Sequence, residues 1–163
     1  MKVTIMNINT IKDFEKVDWS KQIQGDVVIA SNLGFLQPDK IWCSGSLIIE
    51  AAGTSIEAGT SIKAGWSIKA GGSIKAGTSI KAGGYGITSG CDIICKTTLS
   101  AKLRIISGVS PYHDGLNNTI KCGKLLSGTV IGNFVETGLP NETPKQCHGG
   151  QTGKFCSECG EKL

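Results

Sequence analysis

The sequence is poor in several residue types that build conventional cores and active sites. It contains 4 Pro, 2 His and only 6% aromatic residues. No apolar run approaches the roughly 18 residues of a transmembrane helix, and no apolar signal-peptide core follows the N-terminus. These absences lead us to expect a soluble, cytoplasmic protein with no membrane partner. The net charge of +4 permits an acidic partner without requiring one.

Glycine is abundant by contrast, at 23 of 163 residues, and it recurs in a fixed pattern. The stretch "AGTSIKAGWSIKAGGSIKAGTSIKAGG" at 58–84 returns an isoleucine every six residues, and one step of seven leads to Ile87. The small residue two positions after each isoleucine shares its face of a strand, and glycine follows where the backbone must turn. A short strand followed by a corner, repeated, is typical of a β-solenoid.

The residue two positions before each isoleucine indicates how many hexads form one coil. Sorted by every third hexad, these residues form three columns: Thr60, Thr78 and Thr97; Thr54, Gly72 and Cys91; and the large apolar Leu47, Trp66, Tyr85 and Leu103. The pattern predicts an all-β fold, a three-sided parallel β-helix of about five coils with about 18 or 19 residues each. The repeats "GDVVI" and "GSLII" add Val27 to the apolar column. One column of isoleucines is then Ile29, Ile49, Ile68, Ile87 and Ile105.

The flanking segments differ in composition from the repeats. Residues 1–24, with a short helix predicted in "NTIKDFEKVDW", are interpreted as an N-terminal cap that places Ile11, Phe14 and Val17 on one side. The β-helix is predicted over 25–136, with a loop at 108–118. Residues 137–146 form a polar linker, and 147–163 form a small C-terminal tail.

The tail contains three of the seven cysteines, in "QCHGGQTGKFCSECGEKL". Two thiolates three residues apart can hold one tetrahedral zinc ion, and the string "KFCSECGEKL" resembles the second half of a zinc ribbon. The predicted ligands of this structural zinc are Cys147, His148, Cys156 and Cys159, with His113 or a second copy as alternative sources of a ligand. The other interpretation is a tail with free thiols and no metal. Cys91, Cys95 and Cys122 lie within the repeat pattern and are predicted to pack in the core.

Two groups of side chains are candidates for contact with a partner. Strand parity turns Lys63, Lys69, Lys75 and Lys81 outward as a basic belt around the coils, which either keeps the protein soluble or contacts an acidic partner or nucleic acid. Trp66 and Tyr85 share the parity of the isoleucines, so we expect them to stack mainly inside the core, with a groove that faces a partner as the alternative.

The hexads resemble those of the hexapeptide acyltransferases, although the order Ile-x-Ala is closer to that of bactofilin-type helices, and the hand of the coil stays open. The combination of "AGTSIKAGWSIKAGG" with "AKLRIISG" most resembles uncharacterised proteins of phages and mobile elements, over about residues 45–110. This resemblance implies a non-enzymatic accessory factor that binds and blocks a host protein or ribonucleoprotein complex, as anti-CRISPR proteins do. The two other families imply a self-assembling scaffold, which would be a homo-oligomer, or an acyltransferase with His113 as its general base.

Overall fold

The computed structural model of the chain describes residues 4–51, 53–109 and 119–139. The elements in chain order are β1 (Ile5–Ile8), α1 (Ile11–Glu15), β2 (Asp26–Ile29), β3 (Phe35–Leu36), β4 (Ile41–Cys43), β5 (Leu47–Ile49), β6 (Ser55–Ala58), β7 (Ile62–Ala64), β8 (Ile68–Ala70), β9 (Ile74–Ala76), β10 (Ile80–Ala82), β11 (Ile87–Ser89), β12 (Ile93–Cys95), β13 (Thr98–Ile106), β14 (Thr119–Cys122), β15 (Lys124–Ile131) and β16 (Asn133–Glu136). Every pairing between the strands of the described residues is parallel, and all but that of β1 with β2 join strands that are not consecutive in the chain.

The strands form a parallel β-solenoid of three faces and about five turns, as the hexad pattern predicts. The first face stacks β1, β2, β5, β8 and β11, followed by the ends of β13 and β15. The second face stacks β4, β7 and β10, followed by the beginnings of β13 and β15. The third face stacks β3, β6, β9, β12, β14 and β16. Since β13 and β15 continue around the corner between the first two faces, those faces form one ten-stranded sheet.

The interior consists of side chains repeated from turn to turn. On the third face, Leu36, Ile56, Ile74, Ile93 and Ile120 stack in register, and each is buried. The position two residues after each isoleucine of this column holds alanine or cysteine, and the position two residues after Leu36 holds the buried Pro38. Burying one such isoleucine contributes about 1.5–3 kcal/mol, so the stack supplies much of the cohesion between turns.

The register of the early turns differs from the predicted columns. Ile68 pairs with Ile87, as expected from three hexads per turn, but its partner on the other side is Leu47 and not Ile49. Ile49 pairs with Ala70 instead. Leu47 therefore belongs to the buried column of the isoleucines and not to that of Trp66. The hexad spacing does not predict the pairing of Leu47 with Ile68, because 21 residues separate these two positions. Later turns advance by 19 and 18 residues (68 to 87, 87 to 105).

The N-terminal helix is shorter than the predicted segment and spans only Ile11–Glu15. Thr10 and Asp13 form a reciprocal capping box at its start, and Phe14 is buried in the solenoid core. The Trp19 indole N–H donates to the Phe14 carbonyl over 3.1 Å. Ile11 is exposed, contrary to its expected place beside Phe14. No helix in the described part of the chain is long and apolar enough to cross a membrane.

A candidate binding surface at one corner of the solenoid

The corner between the second and first faces carries a column of large apolar side chains on its outside. Backbone hydrogen bonds join this column: Tyr85 N–H donates to the Trp66 carbonyl over 2.8 Å, and Leu103 N–H donates to the Tyr85 carbonyl over 2.9 Å. Trp66, Tyr85 and Leu103 are 52%, 56% and 53% exposed. We call these three residues the aromatic corner. The prediction that Trp66 and Tyr85 stack inside the core is wrong.

The two rings do stack, but on the outer surface. Their centroids lie 5.6 Å apart with an interplanar angle of 30°, which is an ordinary separation for an offset aromatic pair. Gly84 makes this possible, because a Cβ there would lie 2.8 Å from Trp66 Cε3 and 3.0 Å from Trp66 Cα. Both Gly84 N–H and Tyr85 N–H donate to the Trp66 carbonyl, so the residue that lengthens this hexad to seven forms a bulge beside the Trp66 ring.

The prediction for Trp66 and Tyr85 is wrong because side chains alternate between inside and outside only within a strand, and these residues lie in the turn before a strand. The buried pair of each three-residue strand is the isoleucine and the residue two later, so the residue two before the isoleucine already lies in the turn. The three corner columns then behave differently. Thr54, Gly72 and Cys91 are buried, whereas Thr60 and Thr78 are exposed, as the aromatic corner is.

Five cationic side chains surround the aromatic corner, all of them exposed, and we call them the basic flank: Lys63, Lys69, Lys81, Lys102 and Arg104. Lys63 and Lys81 are register partners on the second face, three or four residues before Trp66 and Tyr85. Lys69 follows Trp66 on the first face. Lys75 lies on the third face between Glu57 and Ile94, so the four predicted lysines are spread over all three faces, as the belt requires, and Lys75 is not part of the basic flank.

Carboxylates are scarce on this side of the molecule. Among the described strand positions that face outward on the first and second faces, Asp26 is the one carboxylate. Its Oδ1 accepts a hydrogen bond from Ser46 N–H over 2.6 Å. Glu57 and Asp92 lie on the third face. The outward strand positions around the aromatic corner therefore carry more cationic than anionic side chains.

Trp42, Lys102 and Arg104 belong to this surface but were not among the sequence candidates. Trp42 is 43% exposed and pairs in register with Lys63, which makes it the first member of a column that continues through Lys81. A signal existed in "IWCSGS", where Trp42 follows Ile41 as Lys63 follows Ile62. The irregular spacing of the early turns concealed it.

Two grooves in the described part of the chain lie away from the aromatic corner. An open groove of about 450 Å³ beside α1 includes Asp13 and Asp18, but Asp13 closes the capping box, and hydrogen bonds from Ser20 and Lys21 lower the pKa of Asp18 to about 2. A second groove of about 480 Å³ on the third face includes Lys96, Lys121 and Cys95.

The cysteines of the solenoid are buried, as expected for core residues. Burial raises the pKa of Cys43 to about 12, with a smaller contribution from the charge of Asp26. Burial likewise raises the pKa of Cys95 to about 12 and that of Cys122 to about 11. Since the thiolate is the reactive form, these groups are poor nucleophiles at neutral pH.

The predicted zinc ligands Cys147, His148, Cys156 and Cys159 lie outside the described residues, as does His113. Within the described ranges, no cluster of three or more metal-binding side chains occurs. Comparison of the chain with known protein families, curated protein sequences and solved structures finds no match.

Proposed function

We propose that the chain is a non-enzymatic binding module that holds a macromolecular partner against the aromatic corner and the basic flank. The observation that carries this proposal is the exposed stack of Trp66 on Tyr85 in the middle of a cationic surface. Tryptophan and tyrosine are enriched at interface centres, where a few residues contribute most of the binding energy, and a surrounding positive charge attracts an acidic partner.

The solenoid supports this role by its rigidity. Trp66, Tyr85 and Leu103 belong to successive turns that hydrogen-bond to one another, so their spacing is set before a partner arrives. Each aromatic side chain has few rotatable bonds that lose freedom on binding, and this lowers the entropic cost of association. Large apolar groups on a surface are also unfavourable for a protein that exists only as a monomer in water, and they mark interaction sites.

A photo-crosslinking experiment tests this proposal by position. Tyr85→p-benzoylphenylalanine is expressed in a bacterial host, and Phe35→p-benzoylphenylalanine serves as the matched control because Phe35 is 52% exposed on the third face. We expect light-dependent adducts from position 85 and none from position 35. We also expect Lys63→Glu with Lys81→Glu to abolish the adduct from position 85. Equal adducts from both positions, or none from position 85, would reject the proposed surface.

The narrower proposal is that the partner is a host complex that a phage or mobile-element protein blocks. It is supported by the resemblance of the repeat sequence alone. Mass spectrometry of the adduct formed at position 85 tests it directly. Recovery of a component of a defence complex, either a protein or the nucleic acid of a ribonucleoprotein, together with loss of that complex's activity on expression of the chain, is the expected result, and the nucleic-acid component is the one that the further inference below requires. An adduct with an unrelated metabolic protein would contradict it.

Self-assembly is the second candidate, and the C-terminal end of the solenoid favours it. Among the described strands, β15 pairs only with β13 and β16 pairs only with β14, so each is the last strand of its stack. Phe134 and Val135 of β16 are 39% and 44% exposed. An exposed strand edge with apolar side chains is a template for pairing with another chain. Light scattering distinguishes the two functions, since a scaffold would form polymers that Phe134→Lys disperses, whereas a binding module would keep one small, defined mass.

A further inference from the structure

The aromatic stack ends at Trp66. The next member of the corner column toward the N-terminus is Gly45, whose carbonyl accepts the Trp66 N–H over 3.2 Å. Gly45 has no ring with which to continue the stack, and the Asp26 carboxylate lies where its side chain would be, 2.2 Å from a Cβ built on Gly45. Trp66 remains 52% exposed although one side of its ring contacts Tyr85. A planar group of a ligand is therefore the natural extension of the stack.

The polar groups around this end match a nucleotide. Cations lie on both faces beside the corner, at Lys63, Lys69 and Lys81, where they suit phosphates. The Asp26 carboxylate lies beside Gly45, the next member of the corner column, where it repels a phosphate but accepts a hydrogen bond from the amino group of a base. The charges thus favour a base at Trp66 and the sugar–phosphate chain along the lysines.

Trp42 supplies a second ring on the same side. It lies one turn before Lys63 in the outward column of the second face, so aromatic and cationic side chains lie in the same and in adjacent columns on this side. Aromatic rings combined with positive charge are the general feature of proteins that bind single strands, because each base has a π-face for stacking and each phosphate has a charge. In a duplex the base faces are covered by their neighbours, and an acidic protein has no bases to stack.

We infer that the aromatic corner, the basic flank and Trp42 bind single-stranded nucleic acid, with a base stacked on Trp66. This inference rests on the proposed function, because it names the class of partner for the same surface. Recognition through stacking and phosphate charge is tolerant of sequence, so we expect DNA and RNA single strands of any composition to bind.

The test uses the purified full chain and a fluorescein-labelled single strand of about 12 nucleotides, within the range of single-strand site sizes. Fluorescence anisotropy gives the dissociation constant at several salt concentrations, with a duplex of the same sequence as comparator. The ring variants are Trp66→Ala and Trp66→Leu, which keeps apolar bulk without an aromatic face. Phe35→Ala is their control on the third face. The charge variant is Lys63→Glu with Lys81→Glu, and Lys75→Glu with Lys121→Glu on the third face matches its change in net charge.

We expect Trp66→Ala and Trp66→Leu to weaken binding about 5- to 100-fold, the usual range for loss of one stacked base, and Phe35→Ala to leave binding unchanged. If all five cations of the basic flank contact phosphates, affinity falls about 100-fold between about 50 and about 200 mM salt. Lys63→Glu with Lys81→Glu should reduce the log–log salt slope by about 1.4, since each phosphate contact contributes about 0.7. The third-face pair should leave the slope unchanged.

Circular dichroism confirms that each variant is folded. The inference is overturned if the wild type does not bind the single strand at low salt, if it binds the duplex as tightly, or if Phe35→Ala weakens binding as much as Trp66→Leu does. An adduct at position 85 whose size is unchanged by nuclease would leave the proposed binding surface standing and reject nucleic acid as its partner. Absence of any adduct at position 85 would reject both.

Discussion

Truncation of Ile68 and of Trp66, which are two residues apart, tests whether the isoleucine column or the aromatic column forms the core. Ile68 is 1% exposed and stacks between Leu47 and Ile87, whereas Trp66 is 52% exposed on the corner. Ile68→Ala removes three carbon groups at about 0.8 kcal/mol each and leaves a cavity, so we expect a loss of about 3–4 kcal/mol in the free energy of unfolding. A fully buried tryptophan would lose about 3–5 kcal/mol on truncation, and the half-buried Trp66 should lose about 2 kcal/mol.

Urea unfolding followed by far-ultraviolet circular dichroism measures both losses on one scale. Lys69→Ala is the control, because its side chain faces water between the same two turns and should change stability by less than about 0.5 kcal/mol. A lower m-value for Ile68→Ala would show that the turns on its two sides unfold separately, as in other repeat proteins. The interpretation of the corner fails if Trp66→Ala costs as much free energy as Ile68→Ala does.

Three further predictions follow from the thiols, the tail and the remaining enzymatic alternative. In a variant with the cysteines at 147, 156 and 159 changed to serine, Cys43 and Cys95 should react with iodoacetamide at pH 8 about 1,000-fold more slowly than an ordinary thiol. The reason is that a pKa raised from 9.0 to about 12 leaves about 1,000-fold less thiolate. Rapid labelling of the folded chain, detected by mass spectrometry, would contradict the burial of these thiols. Elemental analysis should find one zinc per chain, lost in Cys156→Ser while circular dichroism of the solenoid is unchanged, and metal-free wild-type protein would refute the zinc site. Acyl-CoA turnover should be undetectable in wild-type protein, and turnover that disappears in His113→Ala would replace the binding function with acyl transfer.

The sequence predicts the architecture well because the repeat is itself the physical cause of the fold. A residue such as Ile74 lies between Ile56 and Ile93 only if three strands complete one turn, and the hexad spacing requires that arrangement. The early turns are harder to align, since a solenoid accepts additional residues at its corners without disturbing its strands. The hexad spacing therefore places Leu47 in the column of Trp66, whereas the structure places it in the column of Ile68.

The binding surface is less predictable because the direction of a side chain at a corner depends on the backbone angles of the turn, and the spacing of the hexads does not determine those angles. Trp66 has the parity of Ile68, yet the turn between them places it outside. Nothing in the spacing of Gly84 indicates that it makes room for the Trp66 ring, although the additional residue is visible as the one step of seven.

The pairing of Ile62 with Ile80 in neighbouring turns has a consequence for how such a chain can change in length. The eight residues "AGTSIKAG" occur at 58–65 and again, unchanged, at 76–83, and these two copies lie side by side in the folded protein. Genetic exchange between the two copies would insert or delete 18 residues (76 − 58 = 18), which is one whole turn. Both ends of the solenoid would keep their sequence and the new neighbours would pair in the same register. A deletion of this kind would remove Trp66 and leave a shorter, still foldable solenoid, so loss of the binding surface and loss of the fold are separable events in the evolution of this chain.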